Sequence, residues 1–307
     1  EHEQYRQAAV HLEKAYKRGN NNALYPLAVA SSELPDKKAA LSHWKALEEA
    51  PLPQFEGLAQ EMQAILNEKA EPKSFAASNS LYRYLHYQGS SLSDKAFDEL
   101  AAKMEKALRV RAITERIQWY TEQKAWELAG RYLAQLSEKS LSPDLQPYFQ
   151  QAYLAYAFAQ GEVGQDFMEK VQKAAYPRYH IGLQHLYQGA YYAGQGQVKK
   201  AMEEFQTGIR KMPYEEEFYL RLAQLYKNTD REQQAYDILL KGSDRNPENI
   251  PLLKAYILQS LEFGFPSYAE YSMQTLAGLV SDAEYQSFEG VYNAKKAAME
   301  KNAEDWQ

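Results

Sequence analysis

The chain has 307 residues, of which 45% are hydrophobic and 13% aromatic, and this composition excludes a disordered chain. The formal net charge is −6 and the isoelectric point is near 5.7, so the charge balance argues against nucleic acid as a partner. No apolar run approaches the roughly 20 residues that a membrane-spanning helix needs. We therefore expect a soluble chain that does not insert directly into a membrane.

The sequence contains no cysteine, which excludes disulfide bonds, thiolate zinc sites and cysteine nucleophiles together. This absence slightly favours an oxidising, extracytoplasmic compartment such as the bacterial periplasm, and the cytoplasm stays open as the alternative. Residues 3–18 already have the pattern of a complete amphipathic helix. From that start we expect a chain that has been trimmed at its N-terminus.

The first two segments of the chain, residues 1–53 and 54–73, differ in how regularly their predicted helices are spaced. Residues 1–53 are predicted to form N-terminal helix pairs, because several apolar residues fall there at helix-pair spacings. These residues are Leu24, Leu27, Ala28, Ala40 and Trp44. Residues 54–73 are flanked by prolines and lie in a 56-residue interval, from Ala40 to Ala96, that fits no whole number of the repeats described below. We therefore expect one extra helix near 54–69, and place any bend or domain division in this segment.

The remaining chain is predicted to be helical throughout. Residues 74–181 form degenerate helix pairs and 182–281 form regular ones, with Gly and Pro marking where helices stop and start. The helices predicted in the regular segment are 182–195, 198–211, 216–228, 232–244, 250–263 and 266–280. Residues 282–307 are predicted to be a terminal capping helix followed by a tail. No segment alternates with period two for the length of a strand, so the predicted fold class is all-α.

A period of 34 residues runs through the regular segment. Ala201, Ala235 and Ala269 show this period, as do Gly189 with Ala223, Tyr192 with Tyr226, Phe205 with Leu239, Gly208 with Gly242, and Pro213 with Pro247. A fixed period of this length indicates one structural unit repeated along the chain. These residues resemble the tetratricopeptide repeat, most clearly over about 180–280. The resemblance implies a right-handed α-solenoid of stacked antiparallel helix pairs, with small residues at the helix crossings.

The resemblance also implies a non-enzymatic scaffold that presents a concave groove to a protein or peptide. In this family the first helix of each pair lines the groove. The groove residues predicted on that basis are Tyr156, Gln160, Leu183, Leu186, Ala190, Leu220, Gln224, Lys227, Asn228 and Lys254. An apolar patch bordered by amides could hold an extended or helical peptide. The alternative is that the solenoid closes and Leu183 and Leu186 are buried against a neighbouring layer.

Sequence motifs for catalysis or metal binding are not found. There is no HExxH pair and no GxxxxGK[ST] loop, and Gly194-Gln195-Gly196 is predicted to be a turn between paired helices. His185 occupies a position where an aromatic residue packs, so a core role is favoured over that of a ligand or base. We therefore predict no catalytic residue, cofactor or metal. An alternative function keeps the fold and makes the chain the helical-repeat part of a larger bacterial envelope secretion or assembly protein.

Overall fold

A computed structural model describes residues 2–50, 52–72, 75, 77–176 and 181–304. Within these residues the secondary structure consists of seventeen α-helices, short 3-10 turns and connecting loops, without a β-strand. Consecutive helices pack against each other, as they do in a helical-repeat solenoid. The all-α prediction is therefore confirmed. The chain divides into two compact units, here called the N-terminal unit, Glu1–Ala175, and the C-terminal unit, Tyr176–Gln307.

The N-terminal unit contains ten of the described α-helices. These are α1 His2–Lys17, α2 Leu24–Ser32, α3 Lys37–Glu49, α4 Glu56–Leu66, α5 Ser78–Gln88, α6 Asp94–Ala101, α7 Lys106–Glu122, α8 Trp126–Leu133, α9 Gln146–Ala159 and α10 Gln165–Lys173. Helix α4 lies where the sequence predicted an extra helix near 54–69. The boundary between the compact units follows Ala175, so the segment 54–73 lies inside one unit. Pro51, which flanks this segment, lies outside the described residues.

Aromatic packing organises the first core of the N-terminal unit, which is formed by α2, α3 and α4. Trp44 is 1% exposed, and its indole nitrogen donates a 2.7 Å hydrogen bond to the Ser32 hydroxyl. Tyr25 stacks on Phe55 with 4.6 Å between ring centroids and meets the edge of Trp44 at 6.3 Å. A buried indole is stable there because its N–H has a partner. These rings fix how α2 and α3 pack.

A buried arginine organises the second core of the same unit. Arg116 of α7 has a side chain that is 3% exposed, and it donates to the carbonyls of Gly89 at 2.6 Å and Leu92 at 3.0 Å. It also binds the Asp94 carboxylate at 2.8 Å, at the start of α6. Its guanidinium lies 4.7 Å from the Tyr120 ring centroid. A buried charge needs such partners, so Arg116 ties α7 to the end of α5 and the start of α6.

The C-terminal unit contains the regular repeats, and its helices begin and end close to the predicted positions. They are α11 Leu183–Gly194, α12 Val198–Lys211, α13 Glu216–Lys227, α14 Glu232–Arg245, α15 Ile250–Glu262, α16 Pro266–Ala277 and α17 Asp282–Glu304. Gly196 and Gly264 have φ of 69° and 82°, which glycine adopts at low cost after a helix end. Asn249 caps α15 by accepting a 2.9 Å hydrogen bond from the Leu252 amide.

Small residues lie at the helix crossings of the C-terminal unit. Ala201, Ala235 and Ala269 are each 0% exposed, as expected for small residues at equivalent helix crossings. Gly189 of α11 lies so close to α12 that a Cβ atom would stand 2.4 Å from the Phe205 ring. Only glycine fits at that distance. The three equivalent alanines, rather than this glycine, show that the 34-residue period reflects a recurring requirement for a small residue at the crossing.

The layers of the C-terminal unit pack in the same repeated way. A Cβ on Gly208 would meet the Phe218 ring at 2.0 Å, and one on Gly242, 34 residues later, would meet the equivalent residue Leu252 at 3.1 Å. The alternate helices α13, α15 and α17 contact each other in succession. Helix α17 covers the last pair and buries Tyr292 to 6% exposure. No helix among the described residues is both long and apolar enough to span a membrane.

Candidate functional site

The predicted groove residues of α11 lie on a buried side of that helix. Leu186 and Ala190 are 3% and 6% exposed, and Leu183 is half-buried. Tyr187, which the sequence analysis did not single out, is 4% exposed. The expectation of an accessible apolar patch on α11 is therefore corrected. Helix α11 is apolar on more than one side, and such a helix buries more than one stripe. The alternative of burial holds for Leu186.

Two predicted groove residues belong to the N-terminal unit. Tyr156 of α9 is half-buried, with its hydroxyl 3.5 Å from the Trp126 carbonyl oxygen. A Cβ on Gly130 would lie 3.0 Å from the same hydroxyl, so Tyr156 packs closely over α8. The role of Tyr156 in a ligand surface stays a prediction. Gln160 is exposed and follows the last residue of α9 as its C-cap.

The predicted residues of α13 reach the surface of the C-terminal unit. Leu220 is half-buried, and Gln224 and the adjoining Asn228 are exposed. The Gln224 side-chain amide donates to the Asn228 side-chain oxygen at 2.7 Å. This surface therefore offers polar side chains, and part of their hydrogen-bonding capacity is already used within the chain.

Ion pairs hold the two predicted lysines of this surface. Lys227 binds Glu262 of α15 at 2.6 Å, and Lys295 of α17 binds the other oxygen of that carboxylate. Lys254 binds Glu284 of α17 at 2.7 Å. Burial alone would raise the pKa of Glu262, but the hydrogen bonds from its two lysine partners lower it. The lysines brace α13, α15 and α17 against each other, so a ligand carboxylate would have to compete with internal partners.

A different cluster, in the N-terminal unit, brings together residues from three separate elements. His86 of α5 lies between two glutamates: its Nδ1 is 3.1 Å from Glu115 Oε2 on α7, and its Nε2 is 3.2 Å from Glu33 Oε1, just after α2. The imidazole side chain is 33% exposed. The geometry suits a protonated ring that donates from both nitrogens to two carboxylates. We call this arrangement the histidine bridge.

Two tyrosines support the histidine bridge. Tyr82 donates to Glu115 Oε1 at 2.5 Å, and Tyr87 donates to Glu33 Oε1 at 2.7 Å. Burial would lower the pKa of His86, but the hydrogen bonds that the ring donates to Glu115 and Glu33 outweigh this effect and raise the pKa to about 10. His86 is therefore charged at neutral pH. Each carboxylate is oriented by two donors, which fixes the position of the bridge.

An apolar recess lies on one side of the histidine bridge and has a volume of about 220 Å³. Its apolar wall consists of Tyr25, Val29, Trp44, Leu58 and Met62, together with the tyrosines of the bridge. Arg83 borders it and is bound by Glu61 at 2.6 Å. A mostly apolar cavity with a few charged groups at its edge is the usual form of a site for a ligand side chain.

A second cavity lies on the other side of the bridge, and we call it the carboxylate cleft. It has a volume of about 450 Å³. Glu33, His86 and Tyr87 line both cavities, so these three residues form their common wall. The α7 side chains of the cleft include Glu115, Gln118, Trp119 and Glu122. Gln118 donates to Glu122 at 3.2 Å, one helical turn away.

The sequence analysis missed this site, although local signals were present. Tyr82 and His86 are four residues apart, which puts both on one face of a helix. Glu115, Trp119 and Glu122 have the same kind of spacing on α7. Nothing in the sequence says that these two faces meet, so the signals could be found only after the packing of α5 on α7 was known.

Comparisons with known proteins do not assign the chain to a family. A scan of protein-family models finds no match, and a search of curated proteins finds no significant relative. Among the described residues, no group of three or more His, Asp or Glu side chains is placed to hold a metal ion. The function must therefore be argued from the fold and from the site itself.

Proposed function

We propose that this chain is a non-enzymatic, tetratricopeptide-like scaffold that binds a peptide segment of another protein. The binding site in this proposal is the pair of cavities on either side of the histidine bridge. One observation carries the proposal: Glu33 and His86 of the histidine bridge line both an apolar recess and a neighbouring, more polar cleft. Two neighbouring cavities of different polarity suit successive side chains of a peptide.

The cavity walls are held in place before a ligand arrives, which favours affinity. The Trp44 indole is hydrogen-bonded to Ser32, and the bridge is held by two tyrosine hydroxyls. A preorganised site loses little conformational entropy when it binds. Burying one large apolar side chain in the recess would contribute about 1.5–3 kcal/mol. In this proposal the recess contributes most of the binding affinity through apolar burial, and the polar cleft contributes specificity for the neighbouring ligand side chain.

The surface of α13, α15 and α17 is a weaker candidate for the same role. Its lysines at 227 and 254 each have an internal carboxylate partner. The apolar α11 residues that would have supplied the anchor, Leu186 and Ala190, are buried. A ligand there would gain little apolar burial while competing with existing ion pairs. We therefore place the peptide site in the N-terminal unit.

A displayed random peptide library tests this proposal. Peptides would be selected on the wild-type chain and their dissociation constants measured by fluorescence anisotropy. Val29→Trp fills the recess from its half-buried wall position, and we expect it to weaken binding at least about tenfold, the loss of roughly 1.4 kcal/mol of anchor burial. Val10→Trp, on the 45% exposed Val10 of α1, is the matched control and should leave binding unchanged.

Two results would contradict the proposal. If no peptide is enriched, the chain is not a peptide-binding scaffold of this kind. If enriched peptides bind the Val29→Trp and Val10→Trp variants equally well, the peptide site lies elsewhere. Far-UV circular dichroism of both variants shows whether the helices are retained, so that loss of binding can be assigned to the recess.

A further inference from the structure

We infer that the bound peptide places an apolar side chain in the recess and a lysine or arginine side chain in the carboxylate cleft. This inference rests on the proposed function and specifies the chemistry of its ligand. It follows from the charges of the two cavities, from the aromatic and amide groups beside them, and from their common wall.

The carboxylate cleft is negatively charged even with His86 protonated. Three carboxylates line it, those of Glu33, Glu115 and Glu122, and the only cationic side chain in its lining is that of His86. Three negative charges against one positive charge leave a net charge of −2. A basic side chain complements this cleft, whereas an acidic one would be repelled.

Neutral groups in the cleft suit the same ligand. Gln118 directs its amide N–H to Glu122, which leaves its carbonyl oxygen to accept a hydrogen bond from a guanidinium or ammonium group. The Trp119 and Tyr87 rings line the cleft as well. The aliphatic stem of lysine or arginine packs on such rings while the charged head stays beside the carboxylates.

The recess favours an apolar side chain over a basic one, which determines which ligand side chain enters which cavity. Arg83, protonated His86 and the Glu33 carboxylate border the recess, and its wall is otherwise largely aromatic and aliphatic. Two positive charges against one negative charge leave a net charge of +1, so a ligand cation placed there would meet net repulsion and lose its hydration. An apolar side chain meets neither cost. The histidine bridge therefore directs the basic residue to the cleft and the apolar residue to the recess.

The common wall limits how far apart the two peptide residues can be. Glu33 and His86 of the histidine bridge line both the recess and the cleft, together with Tyr87, so the two cavities are neighbours. An extended chain advances about 3.3–3.6 Å per residue. The apolar and basic residues should therefore be separated by about one to three positions in the peptide.

The peptides selected from the library provide the test. We expect the enriched sequences to contain a leucine, methionine or aromatic residue within about three positions of a lysine or arginine. Replacing that basic residue by glutamine should weaken binding to the wild-type chain by about two- to fivefold, as an exposed ion pair does. Glu122→Gln should weaken the basic peptide to a similar extent, and its effect should vanish with the glutamine peptide. Glu127→Gln, at an exposed α8 glutamate that does not line the cleft, is the matched control.

The outcomes separate this inference from the proposed function. Enriched peptides that need an open recess but lack a neighbouring basic residue would overturn the inference and leave the scaffold proposal intact. The same conclusion follows if basic peptides bind the Glu122→Gln and Glu127→Gln variants equally. If no peptide is enriched, both the proposed function and this inference are refuted. The same holds if the Val29→Trp substitution leaves the dissociation constants of the enriched peptides unchanged. Added sodium chloride should weaken the basic peptide more for wild type than for Glu122→Gln.

Discussion

The spacing of helix pairs in the C-terminal unit can be tested with two identical substitutions. Gly208→Ala introduces a Cβ that would lie 2.0 Å from the Phe218 ring, whereas ordinary van der Waals contact begins at 3.4 Å. Phe218 is 0% exposed, so its ring cannot swing into solvent. The helix gains about 1 kcal/mol when alanine replaces glycine, but overpacking of this kind costs about 1–3 kcal/mol. We expect a net loss of up to about 2 kcal/mol.

Gly290→Ala is the matched control for that substitution. Gly290 lies in α17 of the same unit, and nothing is within 4 Å of its added Cβ. Only the helix propensity changes there, so we expect a gain of about 0.5–1 kcal/mol. Urea unfolding of the two full-length variants, followed by far-UV circular dichroism, measures both. If Gly208→Ala is as stable as Gly290→Ala, the close approach of α12 and α13 is not real and the steric explanation of the 34-residue period fails.

Two further predictions concern the N-terminal unit. Arg116→Lys should cost about 2–4 kcal/mol in urea unfolding, because lysine cannot reproduce the fork that serves the Gly89 and Leu92 carbonyls; a cost below about 0.5 kcal/mol would contradict the bonding described. His86→Gln should be less stable than wild type below the ordinary histidine pKa of 6.5, and this difference should disappear as pH rises through about 10. The stability difference has this pH dependence because the pKa of His86 is higher in the folded state than in the unfolded state, so protonation of His86 stabilises the folded protein. A difference in unfolding free energy that stays constant over this range would show that the charge of His86 does not hold the bridge.

The helices of the C-terminal unit were predictable because the sequence marks them more than once. The predicted helix 198–211 coincides with Val198–Lys211, and 216–228 exceeds Glu216–Lys227 by one residue. Turn glycines and prolines, hydrophobic spacing and the 34-residue period all indicate the same boundaries. The three alanines were predictable for the same reason, since a side chain that must be small at every crossing repeats with the period.

Which side of α11 is exposed was not predictable from the same information. Its sequence places Leu183, Leu186, Tyr187 and Ala190 around much of the helix circumference. The family pattern identifies the side of the helix that packs against its paired helix. It does not identify which residues cover the adjacent side. That depends on the neighbouring layer, and the pattern is irregular before residue 182. The contact of Tyr156 with α8 was not predictable for a similar reason, because it depends on Gly130, which no periodicity marks.

The binding site that we propose at the histidine bridge was not predictable from the sequence, although the fold class was. His86 lies 53 residues from Glu33 and 29 residues from Glu115, and neither separation is a multiple of the 34-residue period. Residues that recur with the period make contacts that every repeat needs, so periodicity identifies packing residues. A ligand site arises where repeats differ from one another, because only there can side chains depart from the packing pattern. The proposed site therefore lies in the irregular N-terminal unit, where the repeat pattern gives no signal for it.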